Sequence, residues 1–232
     1  MKRLRKANER GHFDHGWLKT SHTFSFGHYF DPDWNGFHTL RVINEDFVAP
    51  GQGFGTHGHK DMEIITIVLS GELEHKDSLG NGEVLRPGEL QRMTAGSGIR
   101  HSEFNPSASS PTHLYQIWVL PEAKDLVPGY EQRPFPQKEQ RDKWRLVASR
   151  DGRDGSLTIR QRADLWLTTV TAGQSVSKPA APGTHGWLQV LSGTITVDGR
   201  FLEPGDALYW TEAEPLEVHA TAESQVLLFE LA

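Results

Sequence analysis

The 232-residue sequence contains no cysteine, which excludes disulfides, zinc–thiolate sites, iron–sulfur clusters and cysteine nucleophiles. It has no apolar run long enough to span a bilayer, and no apolar segment follows the basic N-terminus MKRLRK, so neither a membrane span nor a signal peptide is predicted. Positive charge is also in deficit: 24 Lys and Arg face 30 Asp and Glu, and the formal net charge is −6. This balance argues against nucleic-acid binding. We therefore expect a cytoplasmic protein that binds neither nucleic acid nor membrane.

A convincing helical period is missing as well. The chain instead alternates short runs of β-favouring residues, such as HLYQIWVL at 113–120, with turn signals such as Asn81-Gly82 and Pro87-Gly88. Short strands separated by regular turns are typical of β-sandwiches and β-barrels. The sequence therefore predicts an all-β protein, with enough residues for two domains.

The composition changes after about residue 121, where proline and charged residues dominate and no periodicity persists. A second β pattern begins at Leu157 and repeats features of the first half: Leu-Ser-Gly occurs at 69–71 and 191–193, and Pro-Gly at 87–88 and 204–205. This ordered repeat predicts two similar barrels in tandem. The predicted divisions are an N-terminal barrel at 1–125, a linker at 126–155 and a C-terminal barrel at 156–232.

Two pairs of residues carry the chemistry. His57 and His59 follow a glycine-rich approach with one residue between them, and His101 and Glu103 have the same spacing. Alternate side chains leave the same face of a strand, so each pair can point into one cavity. Three imidazoles and one carboxylate suit a first-row transition metal. The alternative is a hydrogen-bonded cluster without metal, but burying these groups without a cation would cost several kcal/mol unless each were satisfied.

The remaining histidines give weaker patterns. Four lie near the N-terminus at irregular spacings, and we interpret them as loop or core-edge residues, one of which could help to shape a pocket mouth: His12, His15, His22 and His28. His75 and Asp77 are explained as well by a strand-end hydrogen bond as by a functional role. The second half has only His185 and His219 and no His-x-His pair, so the C-terminal barrel is predicted to be structural or to form a cavity wall, without a metal.

The order of these features resembles the cupin pattern: His-x-His, Glu63 four residues later, a Pro-Gly turn, then His101 and Asn105. More narrowly, HGHKDME at 57–63 and AGSGIRHSE at 95–103 resemble the pirin family. So do EHKDSLGN, YEQR and DGSL further along the chain. The resemblance implies a bicupin fold, that is, two tandem cupin barrels of the double-stranded β-helix or jelly-roll type. It also implies one metal in the N-terminal barrel.

The two patterns differ in the carboxylate ligand. The general cupin pattern assigns Glu63, whereas the pirin pattern assigns Glu103 together with His57, His59 and His101. Geometry favours Glu103, because it shares a strand face with His101. Glu63 would then support the ligands from behind. One departure is visible: pirins usually carry proline between the two histidines, whereas this chain has Gly58, which leaves the backbone freer.

The pirin family is similar to flavonol (quercetin) 2,3-dioxygenases, and the resemblance implies a matching activity. A flavonol would bind through its 3-hydroxyl, Glu103 would take the proton as general base, and O₂ would cleave the ring to give a depside and carbon monoxide. Fe(II) is the expected metal, with Zn, Cu, Ni, Mn or Co as alternatives. Aromatic residues between 13 and 54 would line the cavity, and a monomer is expected. The alternative function is a metal- or redox-responsive regulator that binds a protein partner.

Overall fold

A computed structural model describes residues 1–232, and nearly all of its regular structure is β-strand. The strands of the N-terminal half are β1 (Arg3–Arg5), β2 (Gly11–Asp14), β3 (Leu18–His22), β4 (Leu40–Val48), β5 (Gly53–His59), β6 (Glu63–Ser70), β7 (Leu73–Asp77), β8 (Gly82–Leu85), β9 (Glu89–Thr94), β10 (Ile99–Phe104), β11 (Thr112–Val119) and β12 (Gly129–Pro134). A short helix, α1 (Gln137–Gln140), follows.

The second half continues the same pattern. Its strands are β13 (Arg145–Ser149), β14 (Leu157–Thr158), β15 (Ala163–Val170), β16 (Ser175–Lys178), β17 (His185–Ser192), β18 (Ile195–Val197), β19 (Arg200–Leu202), β20 (Ala207–Trp210), β21 (Leu216–Ala220) and β22 (Ser224–Leu231). Single 3₁₀ turns occur at Ala7–Glu9 and Arg153–Gly155. The predicted all-β class is confirmed. None of the helices has the length and apolar character needed to cross a bilayer.

The chain divides into two compact units. One consists of Arg10–Pro134 with Ile159–Gln161, and the other of Met1–Glu9, Phe135–Thr158 and Arg162–Ala232. Each unit contains a seven-stranded and a four-stranded sheet. Two sheets per unit, built almost wholly from antiparallel pairs, are the layout of a jelly-roll barrel.

In the unit around Arg10–Pro134, the large sheet has the order β12-β9-β6-β11-β4-β3-β2 and the small sheet the order β5-β10-β7-β8. Buried apolar residues from both sheets pack into one cluster: Leu18, Val48, Val68, Leu73, Leu85 and Leu114. Their burial holds the two sheets together at one end. Strand β4 runs through the large sheet between β3 and β11, and it is central to the site.

The two faces of β4 have different roles. Asn44 and Asp46 face a cavity, whereas Glu45, between them, points to the opposite face. There Glu45 accepts hydrogen bonds from Arg10 Nη2 at 2.7 Å and from His113 Nε2 at 2.9 Å. Burial alone would raise the pKa of Glu45, but the hydrogen bond from His113 and the charge of Arg10 outweigh it and lower the pKa to about 2.

In the other unit, the sheets have the orders β1-β20-β17-β22-β15-β13-β14 and β16-β21-β18-β19. The core of this unit is an apolar cluster contributed by both sheets, with members such as Val170, Leu188, Ile195 and Val218. Aliphatic side chains therefore fill the interior of this barrel, where the first unit has polar groups.

The predicted division at 126–155 differs from the structure. Strand β12 pairs with β9 in the first unit, and β13 pairs with β15 in the second. The first residues of the chain also differ from the prediction, because β1 pairs with β20 of the second unit. The physical reason is that β12 is an edge strand, and edge strands carry charge and proline that mask their periodicity.

Candidate metal centre

Strands β5 and β10 bring the two predicted pairs together. The strands are antiparallel, and their register places His57 opposite His101. Gly53 makes this approach possible: a Cβ there would overlap the backbone carbonyl of Glu103, so only glycine fits so close to the neighbouring strand. At Gly58, by contrast, a Cβ would have only ordinary contacts, the nearest at 3.7 Å. A register irregularity between His101 and Glu103 then adjusts the direction of the second pair.

Three imidazole nitrogens converge at this point. His101 Nε2 lies 3.0 Å from His57 Nε2 and 3.0 Å from His59 Nε2. Nitrogens bound at about 2.1 Å to one ion, at right angles to each other, would be about 3.0 Å apart. Neutral imidazole nitrogens are ligands for first-row divalent metals. The donor set and its spacing therefore fit a single transition-metal ion.

Hydrogen bonds behind the rings fix which nitrogens carry protons. His57 Nδ1 lies 2.9 Å from the Gly55 carbonyl oxygen and donates to it, because a carbonyl can only accept. His75 Nε2 donates to Asp77 Oδ2 at 3.1 Å, which leaves His75 Nδ1 as an acceptor. His101 Nδ1 lies 3.4 Å from that atom and supplies the hydrogen. The Nε2 atoms of His57 and His101 thus both carry lone pairs.

Asp77 is itself held in place. Its Oδ1 accepts from the backbone N–H groups of Leu79 and Asn81, and its Oδ2 from the Asn81 side chain at 2.9 Å. The ring of His75 stacks on Tyr130, with a centroid separation of 4.8 Å. The series Asp77–His75–His101 therefore orients a ring that contributes to the three-nitrogen cluster.

Burial keeps the rings of His59 and His101 neutral. Burial, followed by the neighbouring His57, lowers the pKa of His59 to about 4. Burial and the charges of His57 and His59 lower the pKa of His101 to about 3. At neutral pH these rings therefore present lone pairs, which is the form that binds a metal.

Glu103 is the carboxylate of the site. It is 2% exposed, and burial raises its pKa to about 7 against the opposing hydrogen bond from Gln116. Gln116 Nε2 donates to Glu103 Oε2 at 2.8 Å, while Glu103 Oε1 is buried without a hydrogen-bond partner. A buried carboxylate oxygen without a partner is costly unless it has a ligand to bind.

The candidate ligands form two overlapping sets. His57, His59 and His101 make one, and His75, His101 and Glu103 make the other, with potential ligand atoms in each set within 4.8 Å of one another. Glu63 lies outside both. It is fully buried and accepts hydrogen bonds from Thr94 Oγ1 and the Arg160 backbone N–H.

A cavity of about 450 Å³ opens beside the cluster. Its lining combines His57, His59 and Glu103 with aromatic side chains, which are Trp17, Phe26, Phe54 and Trp118. Trp118 makes edge-on contacts with His59 and with Phe26, at centroid separations of 4.9 and 5.2 Å. As expected from the sequence, residues between 13 and 54 supply part of this aromatic wall.

The other histidines named in the sequence analysis lie apart from the cluster. His185 Nδ1 donates to the Thr211 carbonyl, and the exposed His219 bonds Ser175. Neither belongs to a group of side chains able to hold a metal. Among the N-terminal histidines, His22 lines the cavity.

Sequence reasoning missed several residues of the site: His75 as a partner of His101, Gln116 as the donor to Glu103, and the cavity-lining Asn44 and Asp46. For the last two, a signal was present. They are polar residues at alternate positions of a strand whose neighbours on the same face, such as Val42 and Val48, are buried and apolar.

Comparison with known proteins identifies the family. A family model described as Pirin matches residues 3–119, and one described as Quercetinase C-terminal cupin domain matches residues 146–231. The quercetin 2,3-dioxygenase of Escherichia coli (strain K12) is 48% identical over 98% of this chain and 97% of its own length. The chain belongs to the pirin family. With this similarity over nearly its whole length, the pirin is a dioxygenase-like enzyme.

Crystal structures of relatives agree with the fold of this pirin. YhhW from Escherichia coli superposes with a TM-score of 0.95 at 48% sequence identity, covering 100% of this chain and 98% of that one. A second structure, bacterial pirin YhhW from the same organism in complex with nickel(II), gives a TM-score of 0.93 at 49% identity, covering 100% and 99%. The predicted bicupin fold is confirmed. The metal-bound relative and the His/Glu cluster described above are consistent with one metal ion in this pirin.

Proposed function

We propose that this pirin is a metal-dependent dioxygenase that cleaves flavonols such as quercetin with O₂ to a depside and carbon monoxide. Its proposed metal ligands are His57, His59, His101 and Glu103. One observation carries the proposal: the Nε2 atoms of His57 and His101 lie 3.0 Å apart beside the cavity, and their outer hydrogen bonds leave neither with a hydrogen. Two lone pairs at that distance repel each other unless a cation lies between them.

The metal is proposed to be Fe(II), and Ni(II), which the related structure contains, is the second candidate. When bound, such an ion supplies a Lewis-acidic centre with positions open to ligands. His59 and His101 need no protonation change on binding at neutral pH, because burial already keeps both rings neutral.

Glu103 is the proposed general base. Gln116 donates only one hydrogen bond, to Oε2, so the carboxylate keeps lone pairs both for the metal and for the proton of the flavonol 3-hydroxyl. The side-chain amide of Gln116 is held in one orientation, because its Oε1 accepts a hydrogen bond from Trp118 Nε1 at 3.1 Å. This bond keeps the NH₂ group directed at Glu103. A pKa near 7 before metal binding suits proton transfer at neutral pH.

The cavity suits a flat aromatic substrate. Its volume of about 450 Å³ falls within the range of small-molecule sites, which is roughly 300–1,000 Å³. The rings of Trp118, Phe26 and Phe54 provide apolar surface for stacking and exclude water from the reacting atoms. A relative at 48% identity that carries the name quercetin 2,3-dioxygenase supports the same substrate class.

The test is oxygen uptake with quercetin by purified, Fe(II)-loaded protein, with carbon monoxide measured in parallel. We expect uptake and carbon monoxide release from the wild type and neither from His101→Ala. Protein that is shown to contain metal and gives no uptake with Fe(II) or Ni(II) would contradict flavonol cleavage.

A matched pair of carboxylate variants locates the base. Glu103→Gln should retain metal but lose at least about a hundredfold in kcat, the typical contribution of general acid–base catalysis. Glu63→Gln is the control, because Glu63 is equally buried and also has one carboxylate oxygen without a partner, but it lies outside both ligand sets and does not line the cavity. Equal losses in both variants would argue against Glu103 as the base.

A further inference from the structure

A row of polar side chains crosses the cavity wall away from the metal cluster. In the large sheet, Gln116 on β11 pairs with Asn44 on β4, and Asn44 pairs with His22 on β3. Neighbouring strands are about 5 Å apart, so the row extends about 10 Å from the partner of Glu103 to His22. Asp46 lies two residues along β4 on the same face. All four residues line the cavity.

Three of these residues have buried polar atoms without a hydrogen-bond partner: His22 Nδ1, Asn44 Oδ1 and Asp46 Oδ1. Their exposed fractions are 7%, 3% and 4%. Buried polar atoms of native proteins nearly always have a partner. Because these atoms belong to cavity-lining residues, a ligand in the cavity can provide the missing partner.

The three atoms share one chemical role, which is to accept a hydrogen bond. The amide and carboxylate oxygens can only accept while Asp46 is ionised. The His22 ring donates to the Phe26 backbone, and burial lowers its pKa to about 4. Since Nδ1 has no partner, the donor is Nε2, and the neutral ring leaves a lone pair on Nδ1. The matching ligand groups are therefore donors such as hydroxyls.

The position of the row favours an aromatic ring as carrier of these hydroxyls. Beside the cavity lies a second pocket of about 160 Å³, and His22 and Phe26 line both. The His22 ring packs against Phe26 and Phe13, with centroid separations of 5.1 and 5.3 Å. A ring lying there would have aromatic contacts around its faces and acceptors at its edge.

We propose that His22, Asn44 and Asp46 form a subsite that binds phenolic hydroxyls on the separate aryl ring of a flavonol, which a single bond joins to the fused ring system that carries the metal-binding hydroxyl. The inference rests on the proposed function and narrows it: the substrates are flavonols that carry hydroxyls on this aryl ring. The subsite determines affinity and specificity, while proton transfer stays with Glu103.

Two flavonols that differ only in the hydroxyls of this aryl ring provide the test. Quercetin carries hydroxyls there and galangin does not. Equilibrium binding to the metal-loaded protein is measured anaerobically, by quenching of tryptophan fluorescence, so that no turnover is needed. We expect the wild type to bind quercetin about fivefold to tenfold more tightly than galangin, as one or two net hydrogen bonds would give.

Variants test whether the polar row causes the preference for quercetin over galangin. Asn44→Leu should lower quercetin affinity to near that of galangin and leave galangin affinity unchanged. Thr66→Val is the matched control: Thr66 pairs with Gln116 from the other side and has a buried, unpartnered Oγ1, but it does not line the cavity. This control should retain the full preference. If Asn44→Leu does not fold, His22→Phe removes the Nδ1 acceptor and keeps a ring in contact with Phe26.

The outcomes separate the two proposals. Equal binding of both flavonols by the wild type, or a preference that survives in the Asn44 and His22 variants, overturns the subsite and leaves the proposed function standing. No binding of either flavonol by metal-loaded protein overturns the proposed function and the subsite with it.

Discussion

Replacing His75 with phenylalanine removes a nitrogen acceptor from behind His101 and keeps a planar ring in its place. The stacking on Tyr130 can persist, and Asp77 retains its hydrogen bonds from Asn81. His101 Nδ1, however, loses its partner. The hydrogen of the His101 ring can then move to Nε2, and a protonated Nε2 cannot bind a metal.

The size of the effect follows from the geometry. Loss of a partner behind a ligating histidine typically weakens metal binding by about 10- to 100-fold. The His101–His75 contact is 3.4 Å, which is long for a hydrogen bond between nitrogens. We therefore expect a value near the lower limit, about tenfold, or about 1.4 kcal/mol. The loss of the bond from His75 to Asp77 adds about 1 kcal/mol of destabilisation to the metal-free protein.

Calorimetric titration of metal-free protein with Ni(II), in competition with a chelator, measures the affinity, and thermal unfolding confirms that each variant is folded. His113→Phe is the control. His113 also donates to a carboxylate, on Glu45, and stacks on an aromatic ring, on Phe47, but it lies outside both ligand sets. Unchanged Ni(II) affinity in His75→Phe, or an equal loss in His113→Phe, would refute the orienting role of His75.

Two further predictions concern stability. Gly58→Ala should stabilise the metal-free protein by about 0.4–1 kcal/mol, because alanine restricts the unfolded chain and its methyl group has only ordinary contacts in the folded protein. Gly53→Ala should destabilise it, because a methyl group there would overlap the Glu103 carbonyl. Thermal unfolding measures both effects, and similar shifts of Tm for the two variants would contradict the prediction. Glu45 has a folded-state pKa of about 2 against an ordinary value of 4.5, so its stabilisation is complete above pH 4.5 and is lost as the pH falls to about 2. Urea unfolding of wild type and Glu45→Gln should therefore differ in pH dependence by about 3 kcal/mol over that interval, and parallel curves would show that Glu45 is not held ionised.

The local features of the fold were predictable because their causes are local. Strands β7 and β8 are paired as a hairpin next to the Asn81-Gly82 signal, with the turn itself at residues 78–81, and the apolar run at 113–120 corresponds to β11. In each case the deciding property lies within a few residues: a glycine that accepts a positive φ, here Gly80, or a run of β-branched and aromatic side chains.

The boundaries between units were not predictable in the same way. Strand β12 reads GYEQRP, and its residues are half-buried or exposed, so it has no apolar alternation that would mark it as a strand. Its pairing is determined by β9. Gly129 of β12 pairs with Thr94 of β9, which lies 35 residues earlier in the chain. Strand β1 pairs with Ala207–Trp210 near the other end of the chain. Such pairings depend on the assembled sheet rather than on the segment alone.

The residues of the candidate site also fall into two groups, those predictable from local spacing and those brought together only by the fold. His57 with His59, and His101 with Glu103, are spaced to share a strand face, so each pair can be recognised before the fold is known. No spacing connects Gln116 to Glu103, which lies 13 residues away on another sheet. The parts of the site that hold a metal can thus be read as short motifs, whereas the parts that orient the ligands exist only after the two sheets pack.

This division bears on how the family can vary its substrates. The cluster lies on β5 and β10 of the small sheet, whereas the polar row lies on β3, β4 and β11 of the large sheet. Substitutions at Asn44 or His22 can therefore change the far wall of the cavity without moving the imidazoles of the metal cluster, because the polar row and the metal cluster lie on different sheets. Relatives that keep both histidine motifs but differ at these two strand positions would then share the metal chemistry and differ in the substrate they accept.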